Sequence, residues 1–317
     1  MKKELGIFLL LIALCTVVAI LNPRFLSPTN IQNTARLIGM YGIFSLGLGF
    51  VIITGGIDLS VGSVFALLGV LLSFMLVDWH WAPGLAILAV VTAGMVLGLT
   101  HGLLITRLKL QPFIVTLCGL LFYRGLARFV ANDETKGFGS AQGFEGLQAL
   151  ATGSVLGVPV PFCLLLVIAA ILWVALHRSV YGRYLFALGK SEEAARYPGI
   201  DTKWLTASVY ILLGALGGVA AILIAFYTNS ISPSSHGQSF ELYGIAAAVL
   251  GGCSLRGGEG SIIGILIGTA LLQVLQNLVI LLGIPSSLNL AVIGAVILIG
   301  VAADQLLGQR RRGVARV

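Results

Sequence analysis

Thr54-Gly55-Gly56-Ile57-Asp58-Leu59-Ser60-Val61-Gly62-Ser63 sits inside an apolar stretch running from about residue 37 to residue 77. That stretch is too long for one crossing, since a hydrocarbon core of ~30 Å takes about 20 helical residues. It also contains no polar loop, so the chain turns at or inside the membrane boundary, where Gly55 and Gly56 let the backbone reverse. Two readings of the polar side chains stay open. Asp58 or Ser60 caps the next helix by accepting an orphan N–H; alternatively Asp58, Ser60 and Ser63 border a permeation path. A carboxylate among apolar groups costs about 2.5–3.5 kcal/mol on insertion scales and needs a compensating reason.

The rest of the chain has the same character. Hydrophobic residues fill 58% of the 317 positions and charged ones 10%, against roughly 25% charged in soluble domains. The mean hydropathy is +1.03, and so few charges cannot form a polar shell around a soluble core. Glycine occurs 41 times, which suits lipid-embedded helices that approach closely. The net charge of +7 follows topology rather than a nucleic-acid face. Cys15, Cys118, Cys163 and Cys253 are scattered through apolar segments without a CxxC pair and read as small core residues.

Ten segments emerge, at roughly 5–21, 37–54, 61–77, 82–106, 112–130, 161–176, 204–227, 242–253, 261–283 and 288–303. The basic start resembles a secretory signal, but no A-x-A site precedes Asn22, so the first segment is read as an uncleaved span. Lys2 and Lys3 at one end, and Arg310, Arg311, Arg312 and Arg316 at the other, place both termini on the cytoplasmic side. An even number of crossings is then required, so the short 242–253 segment must cross as well. Fourteen of nineteen Lys and Arg fall inside on this topology, and Arg24, Arg36 and Lys136 fall outside. Arg124 and Arg128 share one face in the outer half of the fifth span. The expected product is an all-α, polytopic single transmembrane domain over 1–317, with an external loop at about 131–160 and a cytoplasmic segment at about 177–203. All other connections read as tight turns, which places His80 and His236 outside.

A second glycine cluster, Gly251-Gly252-Cys253-Ser254-Leu255-Arg256-Gly257-Gly258-Glu259-Gly260-Ser261, closes the short span. Both clusters read GG-x-x-L followed by G-S, and both follow Tyr-Gly-Ile, at Tyr41 and at Tyr243. The spacers differ, fourteen residues against eight. Such a hint of duplication has two readings: tight helix packing by glycine, or a transport site between repeats.

The cytoplasmic segment carries Gly189-Lys190-Ser191-Glu192-Glu193-Ala194-Ala195-Arg196-Tyr197-Pro198-Gly199. Gly-Lys-Ser resembles the end of a P-loop, but Tyr184 stands where that loop needs glycine. Ser191 instead fits the N-cap of a short helix, with Glu192 and Glu193 favoured by its dipole and Pro198-Gly199 stopping it. A short capped helix between spans suits docking. His101, alone in the fourth span, reads as a helix–helix hydrogen-bonding partner, and His177 sits at the inner boundary. No metal-ligand spacing and no Ser/His/Asp set is apparent, so neither metal nor cofactor is expected.

At these motifs the chain resembles permease subunits of bacterial ATP-binding-cassette importers for monosaccharides, the ribose, xylose, arabinose and galactose group. The likeness runs through 22–33, Thr54 to Ser63, Ala194-Ala195-Arg196 with Gly199-Ile200, Glu241-Leu242 with Ile245-Ala246-Ala247, the second glycine cluster, Asn277 and Asp304. Departures occur at Lys190-Ser191, Pro198, Tyr243, Cys253 and Leu278, and they bear on the sugar rather than on the machine. The resemblance implies a type II-like fold with glycine-interrupted helices in the bacterial inner membrane. It implies a second permease chain, a separate ATPase docked on the 190–199 region, and a periplasmic binding protein that delivers substrate. It further implies that Gly55, Gly56, Asp58, Ser60, Ser63, Gly251, Gly252, Ser254 and Asn277 flank the pathway. Related permeases handle branched-chain amino acids, nucleosides or a signalling furanose. A secondary transporter coupled to ions through Asp58 is the alternative from another class.

Overall fold

A computed structural model describes residues 2–139 and 144–285, together with residues 288, 291, 292, 294, 295 and 298. The chain forms α1 (Lys2–Leu21), α2 (Pro28–Ile53), α3 (Val61–Ser73, prolonged by a π-helical turn at Phe74–Asp78), α4 (Pro83–Arg107) and α5 (Pro112–Ala131). Next come α6 (Glu145–Thr152) and a two-residue hairpin, β1 (Ser154–Val155) with β2 (Val158–Pro159). The remainder is α7 (Val160–His177), α8 (Val180–Lys190), α9 (Glu192–Arg196), α10 (Thr202–Thr228), α11 (Phe240–Leu250) and α12 (Ile262–Leu281). Eight of these elements are long and apolar enough to cross a membrane, so the protein is an all-α, multi-pass membrane protein. Only isolated positions of the expected span at 288–303 are described, and Asp304 and the basic tail lie outside the described residues.

Local chemistry sets the helix ends. Proline occupies the first turn of α2, α4 and α5, where a missing N–H costs nothing. Asp201 caps α10 by accepting from the Trp204 N–H at 3.0 Å. Asn132 and Asn229 end α5 and α10 in the left-handed region, with φ of 53° and 48°.

Burial divides the bundle into a centre and a lipid-facing shell. The α2, α3 and α10 spans are more than 70% buried, whereas those of α4, α5 and α7 are 28% buried and that of α1 6%. Phe129, Ile20 and Ile280 point outward because lipid accepts them as readily as a core does. Gly94 and Gly214 set α4 directly against α10, since a Cβ on either would strike the other's backbone.

Two expectations change here. Residues 229–239 are not a tight external turn, and His236 is buried rather than outside. The segment starts beside Lys136, which exchanges two backbone hydrogen bonds with Ile231 at 3.0 and 2.6 Å. It then runs along α3 from Gly69, which faces Ile231, to Gly62, which faces Gly237. Non-helical backbone survives at membrane depth only inside protein and with its polar groups satisfied. Arg124 does this by donating from one guanidinium nitrogen to the Pro233 and His236 carbonyls, at 3.1 and 2.8 Å. The eleven residues of α11 rise about 16 Å, half a membrane. The segment expected to cross at 242–253 is therefore a helix too short to do so alone, and the non-helical 229–239 precedes it along α3. The 131–160 loop contains α6 and the hairpin, and the Thr152 carbonyl accepts from Arg36 at 2.8 Å. The 177–203 segment holds two helices, α8 and α9, rather than one.

Candidate functional site: two unwound segments and a glycine junction

The chain breaks inside the bundle twice, at 54–60 before α3 and at 229–239 before α11. Each break leads into a helix N-terminus, buried at α3 and half-buried at α11, and the two N-termini meet. A Glu241 carboxylate oxygen would lie 2.6 Å from a Cβ on Gly62, and Glu241 also faces the charge of Arg124. Helix N-termini carry partial positive charge, so one carboxylate beside two of them is favourably placed.

Asp58 is 3% exposed, and Ser60 and Ser63 are buried with it. The capping expectation needs correction in detail. Ser60 stands at the N-cap of α3, but its side chain makes no cap bond. It donates instead to Asp58 Oδ1 at 2.7 Å, and the Ser60 backbone N–H donates to the same oxygen at 2.7 Å. Asp58 thus fixes the turn just before the helix rather than the helix's first turn, because Gly55 and Gly56 bring the chain inward earlier than a boundary turn would. Its other oxygen lies 3.4 Å from His101 Nδ1 on α4, and His101 Nε2 lies 2.9 Å from the Tyr123 hydroxyl on α5. The expected role of His101, linking helices, is what the geometry displays. Tyr210 of α10 donates to the Ile57 carbonyl at 3.2 Å, so three neighbouring helices hold the unwound strand in place. Asp58, Ser60, His101 and Tyr210 border a cavity of about 20 Å³, enough for one water.

At the exit of α2, beside this turn, the sequence motifs converge. The Gly258 N–H donates to the Ile53 carbonyl at 2.8 Å. Gly257 lies with φ +80° against the Gly189 carbonyl and against Gly55, which has φ +81°. A Cβ on Gly189 would strike the Ile53 carbonyl and Gly258. The end of α8, the exit of α2 and the 251–261 loop therefore touch backbone to backbone, which only glycine permits. Gly251 packs against Gly264 where α11 crosses α12, while Gly252 (φ +92°) faces Ile7 of α1. Ser254 turns the loop by accepting the Arg256 N–H on its hydroxyl at 3.2 Å and the Gly257 N–H on its carbonyl at 2.8 Å.

Asn277 is not brought into this group. It pairs reciprocally with Asn30, at 2.7 and 3.1 Å, and fastens α12 to the start of α2. In the neighbouring segment Ser191 caps α9, accepting the Ala194 N–H at 3.2 Å. Glu192 pairs with Arg196, and both bond Thr202, which ties α9 to α10. Lys190, Ser191, Glu192, Glu193, Ala194, Arg196, Tyr197 and Gly199 are exposed, and Ala195 is buried. Arg124, which holds the 229–239 segment, and Glu241, which faces it, carried thin sequence signals: an arginine inside an apolar span, and Glu241-Leu242 within the family likeness.

A bundle of membrane-long helices, broken at buried polar segments and hinged on glycine, has the architecture of a multi-pass membrane permease. The chain belongs to the family described as "Branched-chain amino acid transport system / permease component", which matches residues 30–301. It is therefore a transport component and not an enzyme. It is 42% identical over 304 residues to the ribose import permease protein RbsC of Bacillus subtilis (strain 168), covering 96% of this chain and 93% of that protein. It is 32% identical over 305 residues to the D-allose transport system permease protein AlsC of Escherichia coli (strain K12), covering 96% and 92%. Identity to the autoinducer 2 import system permease protein LsrD of Enterobacter sp. (strain 638) is 32% over 310 residues, covering 96% and 91%. No solved structure matches the chain.

Proposed function

We propose that this chain is the membrane-spanning subunit of an ATP-binding-cassette importer for a monosaccharide. It works with a second permease chain, a periplasmic binding protein that delivers the sugar, and a separate ATPase pair on the cytoplasmic side. On this reading it resides in the bacterial inner membrane with both termini cytoplasmic. Relatives named for ribose and D-allose support the sugar. The observation that carries the coupling is the glycine junction: the exposed α8–α9 segment, where an ATPase would push, touches both the exit of α2 and the loop after α11. Movement of α8 by even an ångström must displace one or both, because no side chains lie between to absorb it. The junction thereby links ATPase position to the two interrupted helices that flank Asp58 and Glu241.

Co-reconstitution of the permease with its ATPase and binding protein in vesicles tests this reading. Labelled ribose should accumulate only with ATP and all partners. Accumulation driven by a proton or sodium gradient without ATP would refute it and favour ion coupling through Asp58.

A further inference from the structure

The sequence hint of duplication has a structural counterpart that the coupling junction does not use. The tyrosines of the two Tyr-Gly-Ile motifs face each other, with ring centroids 6.0 Å apart and planes at 83°. Together with Ser45, Ala247, Thr269, Leu272 and Gln273 they line a narrow cleft between α2, α11 and α12 that leaves no room for a water molecule as it stands. Tyr41 lies at the middle of the 26-residue α2 and Gln273 near the middle of α12, so the cleft sits at mid-depth. Gln273 is 3% exposed, and its Oε1 has no hydrogen-bond partner. A buried amide oxygen without a donor is costly unless something supplies one.

We propose that this cleft, closed here, is a transient subsite for a neutral polyhydroxylated ligand, a monosaccharide on its way through the membrane. The lining chemistry decides the ligand class. Ser45 and Thr269 donate to their own helix carbonyls, Tyr41 and Ile265, at 2.7 and 2.9 Å, leaving lone pairs as acceptors. Gln273 Oε1 adds a third acceptor, and two aromatic faces supply apolar contact. Hydroxyl donors on a ring with C–H faces match this set. A zwitterionic amino acid does not, because no charged side chain lines the cleft. Alignment with the repeat motifs also fits, since transport sites favour the seam between repeats built on discontinuous helices. Opening requires α11 to part from α2, which the 251–261 junction below it is placed to drive.

This inference rests on the sugar-import reading, and the test keeps the two apart. The full permease, with its ATPase and binding protein in vesicles, is supplied with labelled D-ribose and D-allose together, and with labelled leucine in a separate arm. If wild type takes up leucine and neither sugar, both the reading and the subsite fall. If it takes up sugar, the ratio of ribose to allose uptake decides the subsite, and that ratio is independent of how much protein inserts. Loss of one neutral hydrogen bond corresponds to about a three- to tenfold change. Gln273→Leu should shift the ratio by that amount, and Tyr243→Leu should shift it further than Tyr243→Phe. Gln273→Leu and Tyr243→Leu both transporting with the wild-type ratio would overturn the subsite and leave the importer reading standing.

Discussion

Gly257→Ala places one methyl at the point where three segments touch. Built on the existing backbone, that Cβ would lie 2.5 Å from the Gly189 carbonyl oxygen, 2.9 Å from the Gly55 nitrogen and 3.0 Å from the Gly55 Cα. Ordinary contact begins at 3.4 Å, so α8 must withdraw by about 0.9 Å or Gly55 must move, given the sterics of a close-packed interior. All three atoms belong to backbone, and a side-chain rotation cannot relieve the clash. Overpacking of this kind costs about 1–3 kcal/mol. The residue also keeps φ +80°, and an L side chain in that region adds about 1–2 kcal/mol. Gly157→Ala isolates the second cost, because Gly157 has φ +82° and nothing within 4 Å of its Cβ. The assay measures sugar uptake and ATP hydrolysis in the same reconstituted vesicles. Gly257→Ala should lower sugar moved per ATP by about five- to thirtyfold if one to two kcal/mol falls on the coupled step. Gly157→Ala should lose only thermal stability. Equal uptake per ATP in the two variants would refute the view that the glycine junction transmits the ATPase stroke.

Asp58→Asn should retain most uptake, because an amide oxygen still accepts both Ser60 donors and His101 can change tautomer to meet the NH₂. Asp58→Ala should transport far less, leaving buried donors unpaired at about 1–3 kcal/mol each; equal loss in both folded variants would show that the charge itself is required. Arg124→Met should sharply reduce monodisperse protein in detergent, since it strands two buried carbonyls and the Glu241 charge at about 3–5 kcal/mol. Adding Glu241→Gln should recover part of the yield, and a fully stable Arg124→Met would mean that 229–239 holds its own fold. Ala194→Arg, at an exposed position, should insert normally yet abolish sugar-stimulated ATP hydrolysis by the complex, and unchanged stimulation would move the ATPase contact elsewhere. Tyr197→Cys and Leu156→Cys, 90% and 100% exposed, should react with a membrane-impermeant thiol reagent from opposite faces, and labelling from one face would break the topology.

Membrane residence, the positions of eight of the ten expected segments and the place of each main interruption were legible in the sequence, for one physical reason. A bilayer demands about 20 apolar residues per helical crossing, and glycine or proline marks where a helix must stop. Those signals are local, and so is the Ser191 cap, which depends on residues three apart. The non-helical segment that precedes the short α11 has no such signature. Ser232, Pro233, Ser234 and Ser235 read as a polar loop until Arg124, more than a hundred residues away, supplies donors to its carbonyls. Likewise Asp58 announced itself as a buried carboxylate, but its partner His101 comes from another helix. The meeting of Gly189 with Gly55 and Gly257 depends on how close three backbones come, and a sequence states only that glycine makes such closeness possible. Tyr41 and Tyr243 repeat a motif in one dimension; folding α11 back against α2 is what turns that repetition into a cleft with an unpaired Gln273 on its wall.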